Sequence, residues 1–256
     1  MLPDADTGYE ARFDFPRGTP IRTFYLLASV PRTGSTWLSH LLWRTGCLGA
    51  PLEYLNVEPT GPYGHAANDS QAQLALWQNA LNTRTSPNGV FGLKCFPVQL
   101  EALQKQNQRL FYAVFDRLMA QPGTRKIVYL ARRNRDAHAA SFARAALSGV
   151  WREEQEANLH ERPDYSHAAL VELDDGIERM MAVWEHNFRQ LEIEPLRVWY
   201  EDAVADPEGT VAQIAAYLGT PLDAAAAVSV PEIRKQSAPE IAEWARQYAE
   251  TKDKKS

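Results

Sequence analysis

The chain alternates short apolar runs with longer stretches whose apolar residues return every three or four positions. Thr23 to Val30 ("TFYLLASV") is a run of strand length. After a small polar loop, Trp37, Leu38, Leu41 and Leu42 share one helical face that Gly46 ends. A second helix is predicted over Gln71 to Asn82, then a strand at "GVFGLKCF", Gly89 to Phe96. Leu100, Leu103, Leu110, Phe111, Val114, Phe115 and Leu118 step through one long helix closed by Pro122 and Gly123. "KIVYLA", Lys126 to Ala131, is the third strand, and a helix over about Asp136 to Gly149 follows it. A charged connector through Arg162, Pro163 and Asp164 leads to a helix carrying Ile177, Met180, Met181, Trp184 and Phe188 as far as Leu191. "LRVWY", Leu196 to Tyr200, makes the fourth strand. Asp206 and Pro207 supply an N-cap and a first-turn proline for a helix that Gly219 closes. The last helix covers about Pro239 to Glu250.

This alternation predicts an α/β fold, a parallel sheet of about four to five strands flanked by helices on both faces. Ligands of such sheets sit beyond the carboxyl ends of the strands. Arg32, Glu53, Lys94 and Arg133 lie at or just past the ends of separate strands or apolar runs, so one crevice can gather them. Residues 1–22, with Pro3, Pro16 and Pro20, read as an irregular arm, 23–250 as one domain, and 251–256 as a charged tail. "PLEYLNVEPTGPYG", Pro51 to Gly64, is the irregular kind of segment that builds binding sites.

With 256 residues and 45% hydrophobic content, the chain suits one well-buried domain. A net charge of -5 means that an anion site must be assembled locally, and it removes duplex nucleic acid from the expected partners. The two cysteines, Cys47 and Cys95, lie in or beside apolar runs and read as buried, reduced thiols. The acidic N-terminus carries no apolar leader, and no run nears the ~20 apolar residues that span a bilayer. A cytoplasmic protein is expected.

"PRTGST" has the features of an anion cradle. Gly34 allows a tight turn, the amides of Thr33 to Thr36 meet the positive end of the next helix, Ser35 and Thr36 add hydroxyls, and Arg32 adds a charged fork. The nucleotide-triphosphatase pattern G-x-x-x-x-G-K-[ST] is not met, since no lysine precedes the Ser-Thr pair. No metal carboxylate is evident. In "YLARRNRDAHAAS", Arg133 leaves a strand and Ser141 follows eight positions later in the second turn of a helix, so the two could grip one phosphate. The two anchors together ask for a ligand with two separated phosphate groups.

With these motifs, and with "GAPLEYL", "FGLK", "ARAALSGVW", "EHNFRQLEIEPLRVWYEDAVADPEGTVAQIAAYLG" and "RKQSAPEIAEWARQY", the chain resembles the P-loop-like sulfotransferases. Their donor is 3'-phosphoadenosine-5'-phosphosulfate (PAPS), and the likeness is greatest to the bacterial trehalose sulfotransferase-like family. The resemblance implies a P-loop NTPase-like fold, PAPS as cosubstrate without a metal, and O-sulfation of a carbohydrate such as a trehalose-like disaccharide or a glycolipid precursor. It assigns Arg32, Thr33, Gly34, Ser35 and Thr36 to the 5'-phosphosulfate, Arg133 and Ser141 to the 3'-phosphate, and Lys235 to a basic stretch closing over that phosphate. It makes Glu53 the general base, and it suggests a homodimer.

On chemical grounds Glu53, between Leu52 and Tyr54, is expected to have a carboxyl raised by desolvation. Lys94 could neutralise charge at the bridging oxygen or orient the acceptor. The family often has two aromatics after this glutamate, where here Tyr54 and Leu55 stand, which bears on the acceptor. His65 and His138 are the competing bases, His138 reading better as a packed or hydrogen-bonded residue. Trp151, at a helix end, suits stacking on a sugar or on adenine. Two other readings stay open: a nucleotide-sensing module without turnover, and a P-loop kinase-like phosphotransferase using ATP with magnesium.

Overall fold

The computed structural model describes residues 8–56, 66, 69–120, 126–159, 161–233 and 239–253. Four strands, β1 (Thr23–Ala28), β2 (Val90–Cys95), β3 (Lys126–Ala131) and β4 (Leu196–Trp199), form one parallel sheet in the order β2-β1-β3-β4. Thr23 pairs with Val90, Tyr25 with Lys126 and Val128 with Leu196, and each ladder runs on from there in register. At the outer edge of β2, Leu52 makes a single parallel bridge to Leu93, and the Lys94 N–H donates to the Leu52 carbonyl at 3.1 Å. Glu53 is thereby carried along the sheet edge towards the carboxyl ends of the strands.

The helices are α1 (Ser35–Arg44), α2 (Ser70–Thr83), α3 (Pro97–Gln106), α4 (Gln108–Met119), α5 (Arg135–Ser148), α6 (His167–Gln190), α7 (Tyr200–Ala205), α8 (Pro207–Leu218) and α9 (Pro239–Asp253). Alternate strand residues feed two cores. Phe24, Leu26, Leu93 and Ile127 pack with Trp77 of α2, Leu103 of α3, Leu110 of α4, Trp184 of α6 and Trp244 of α9. Tyr25, Leu27, Val128 and Leu130 face Leu38 and Leu42 of α1 and Ile214 and Leu218 of α8. Burial on both faces is why the strands read as continuous apolar runs. Among the described residues no helix is long and apolar enough to cross a membrane.

Two expectations change. The long helix through Leu100 and Leu118 is two helices, broken at Asn107 (φ -147°, ψ 74°). The Asn107 side chain accepts from the Leu110 N–H at 3.1 Å and donates to Gln73 Oε1 at 2.9 Å, so one polar residue ends α3, caps α4 and ties both to α2. The apolar spacing runs across the break and hides it. The end of the fourth predicted strand instead begins α7, whose first turn carries Glu201 and Asp202.

The described part of the arm is irregular apart from one 3-10 turn at Ala11–Phe13, yet it is packed. Phe15 is buried, and Arg84, 3% exposed, donates to the carbonyls of Gly8 and Glu10 and pairs with Asp14 at 3.0 Å. Cys47 and Cys95 are buried free thiols.

Candidate active site

Beyond β1 the chain passes through Ser29 to Gly34 into α1, and the carbonyls of this loop are held from outside. Trp184 Nε1 donates to the Ser29 carbonyl and His138 Nε2 to the Pro31 carbonyl, both at 2.7 Å, while Thr33 Oγ1 donates to the Val30 carbonyl at 2.9 Å. Arg32 (φ 71°) and Gly34 (φ 84°) both take the left-handed conformation, which folds the chain sharply into the helix. Asp69, Asn134, Ser166 and Asp206 cap α2, α5, α6 and α8 with their side chains, but Gly34 gives α1 no side-chain cap. The first-turn amides of α1 therefore have no side-chain cap from Gly34, at a helix end that favours negative charge. Burial pulls His138 down to about 4, so it is a neutral support of the loop and not a proton acceptor at neutral pH.

Gly34 is confined from a second side, because a Cβ built on it would lie 2.5 Å from two ring carbons of Tyr200. With its positive φ, Gly34→Ala is expected to cost roughly 2–4 kcal/mol. Urea denaturation checks this, and a loss below about 0.5 kcal/mol would show that the loop relaxes freely.

Arg32 reaches to α5 and the segment that follows it. Its Nε donates to Ser141 Oγ at 3.2 Å, and its Nη1 donates to the carbonyl of Trp151. Burial and the neighbouring Arg132 and Arg144 pull its guanidinium down to about 10, a crowding of cations that an anion would relieve. Ser141 thus meets Arg32. Arg133 turns the other way: its fork grips Asp202, its guanidinium stacks over Trp199, and its side chain is about half exposed. The strand-end arginine directed at the loop is Arg132, with Nη1 3.5 Å from the Arg32 carbonyl and a buried Nε that has no hydrogen-bond partner among the described residues. Lys235 and His65 lie outside the described residues.

Glu53, Lys94 and Thr36 form the second half of the site. Lys94 Nζ lies 2.8 Å from Glu53 Oε1 and donates to Thr36 Oγ1 at 2.8 Å, so one buried ammonium joins the sheet-edge carboxylate to the anion cradle. Gln99 Nε2 donates to Glu53 Oε2 at 2.8 Å. Burial would raise the Glu53 carboxyl, but the charge and hydrogen bond of Lys94, with Gln99, outweigh it and hold the group below its ordinary value. The expectation of a raised carboxyl is therefore corrected: the desolvation is present, and the partner charge exceeds it. Burial also lowers Lys94, partly offset by Glu53.

Several contributors carried no local signal. Gln99 is an ordinary helix residue until α3 turns it to Glu53. Arg152 follows the pinned Trp151, and its charge acts on Glu53, Lys94 and His40. Glu201 accepts from the amides of Arg133 and Asn134 and so fixes the turn into α5. Tyr9 arrives from the arm, its ring edge-on to Tyr54 at 6.2 Å. Their sequence neighbourhoods resemble any polar surface.

Comparison with known proteins places the chain in a family. Residues 24–251 match the Stf0 sulphotransferase family model. The chain is 24% identical over 252 residues to a trehalose 2-sulfotransferase of Mycobacterium tuberculosis, an alignment covering 88% of this chain and 93% of that protein. It is 23% identical over 209 residues to the trehalose 2-sulfotransferase of Mycolicibacterium smegmatis, covering 70% and 77%. Among solved structures, mouse sulfotransferase SULT7A1 complexed with PAP aligns with 91% of this chain and 65% of its own, at 17% identity and a TM-score of 0.43. A match across nearly the whole chain after the arm settles the matter: this protein belongs to the Stf0 sulfotransferase family.

Proposed function

We propose that the protein is a PAPS-dependent O-sulfotransferase with a carbohydrate hydroxyl as acceptor and Glu53 as general base. The observation that carries this reading is Lys94, whose ammonium touches both Thr36 in the cradle and the Glu53 carboxylate. A proton acceptor and an anion site are thereby fixed within one side chain of each other. When bound, PAPS supplies a sulfuryl group and a 5'-phosphate leaving group, by analogy with phosphoryl transfer. The α1 amides and Arg32 would carry the charge left on that phosphate, at donors already held in place. Lys94 would stand between phosphate and acceptor, and Glu53, ionised at neutral pH, would take the acceptor's proton.

The cradle suits a second phosphate as well. Ser141 lies beside Arg32, the buried Nε of Arg132 makes no hydrogen bond among the described residues and lies 4.0 Å from Glu201 Oε1, and Arg133 is held by an exposed pair with Asp202 and by stacking over Trp199. Water screens such an exposed pair, so Arg133 can leave Asp202 for a 3'-phosphate. Lys235 remains the proposed closing contact. Trp151, 43% exposed and edge-on to Phe142, offers a ring face to a sugar or to adenine. The names of the mycobacterial relatives favour a disaccharide acceptor.

Thermal unfolding with candidate ligands tests the donor. PAP at ~100 times its Kd is expected to add roughly 2.7 kcal/mol of stability, with no comparable effect from ATP and magnesium. The reverse pattern would replace this reading with the kinase one. Labelled PAPS offered to a panel of mono- and disaccharides is expected to place label on a sugar hydroxyl, and label found only on non-carbohydrate acceptors rejects that half of the proposal.

A further inference from the structure

We infer that Arg144 is a positioning residue for Arg32, acting through the Trp151 segment that follows α5; the inference rests on the reading of Arg32 as a ligand of the 5'-phosphate. Two acceptors aim the Arg32 guanidinium, Ser141 Oγ and the Trp151 carbonyl. The first sits on α5 and is as fixed as the helix. The second lies beyond the end of α5, on a stretch that is neither strand nor α-helix, so other contacts must hold it. Arg144, one turn after Ser141 on α5, supplies them. α5 closes at Gly149 (φ 69°), and the chain doubles back until Glu156 meets the Arg144 fork with both oxygens, at 2.7 and 2.6 Å. Gln155 Oε1 accepts the N–H groups of Trp151 and Arg152 at 2.7 and 2.9 Å, which ties Trp151 to the residue beside Glu156.

The rest of the clasp is equally closed. Arg144 Nε donates at 2.9 Å to Glu240 in the first turn of α9, and Ser148 Oγ donates to the Arg144 carbonyl at 2.7 Å while accepting the Val150 N–H at 3.1 Å. Arg144 is 1% exposed, too deep for water to replace a lost carboxylate, and a two-point fork fixes direction as well as distance. The path from Arg144 through Glu156, Gln155 and the Trp151 carbonyl therefore ends on the Arg32 fork. Charge and position here have opposite consequences. Removing the Glu156 carboxylate from beside an anion site should by charge alone tighten an anion, whereas releasing the Trp151 carbonyl should loosen it.

Calorimetric titration with PAP of the full-length chain tests this, with folding checked by circular dichroism. Glu156→Ala is expected to weaken PAP binding about tenfold despite the negative charge it removes. Arg144→Lys, which keeps the charge and loses the fork, should weaken it likewise. Gln155→Ala touches neither charge and cuts only the tie to Trp151, so it carries the test should the buried pair prove essential for folding; it too should weaken PAP. In an Arg32→Ala background none of the three should cost anything further, because all act through Arg32. Unchanged or tighter binding in the folded single variants, or an equal loss in both backgrounds, overturns the inference and leaves Arg32 as a phosphate ligand. PAP binding unaffected by Arg32→Ala alone overturns the ligand reading instead, and the role of Arg144 with it.

Discussion

Glu53→Gln is expected to lower turnover by about 10²–10⁴-fold while leaving PAP affinity within a few-fold of the parent. Glutamine keeps the shape of the side chain, and its carbonyl still accepts from Lys94 or Gln99. The charge that takes the acceptor's proton is lost. PAP release under single-turnover conditions, with folding checked by circular dichroism, separates chemistry from stability. A rate equal to the parent's would remove Glu53 as the base. The pH profile gives an independent check. Lys94 and Gln99 hold the carboxyl below its ordinary 4.5, so the acid limb of kcat/KM should lie below 4.5 and the profile stay flat towards neutrality. An acid limb near neutral pH would point to a histidine.

Lys94→Met is expected to destabilise the protein by roughly 3 kcal/mol at neutral pH, because it leaves the Glu53 carboxylate largely buried beside methylene groups. Lys94 is 2% exposed and Glu53 17%, so water replaces the lost partner poorly. The direction of the pH dependence is diagnostic. In the parent the folded-state carboxyl is depressed, so its stabilising contribution is present above the unfolded value and lost as pH falls through the folded one. In the variant the largest opposing charge is gone, and burial, countered by Gln99 and Arg152 alone, should move the folded-state carboxyl upward. Stability should then recover as pH is lowered and Glu53 takes a proton. Urea denaturation at neutral and mildly acidic pH measures both trends, and parallel curves for the two proteins would show that no such ion pair forms in solution.

Much of the fold is legible in the chain because its signals are local. β3 coincides with "KIVYLA", and α8 sits between the Asp206 cap and Gly219, as expected from a buried run and from cap chemistry. The break at Asn107 was not legible, since one polar residue leaves the apolar period intact. What makes it a break is Gln73, on another helix. α7 is hidden for a different reason: six residues, fewer than two turns, are too few to display a period.

The site divides in the same way. "PRTGST" shows its purpose because glycine, hydroxyls and the following helix act within a few residues of one another. Arg132 and Arg133 are adjacent in the chain and chemically identical, so nothing local says which one faces the loop. Asp202, 69 positions on, decides it by taking the fork of Arg133. The Glu53 carboxyl was read as desolvated, which it is, but the sign of its shift depends on Lys94 standing 2.8 Å away on the neighbouring strand. The sequence by itself determined the parallel α/β architecture, the loop suited to an anion and the residue types available at the strand ends. Tertiary structure decided which of those residues meet: Lys94 between Glu53 and Thr36, Gln99 on Glu53, and Arg32 on Ser141. Periodicity and capping act over a few residues, whereas a charge settles against whichever partner the strand order β2-β1-β3-β4 and the packed arm bring to it.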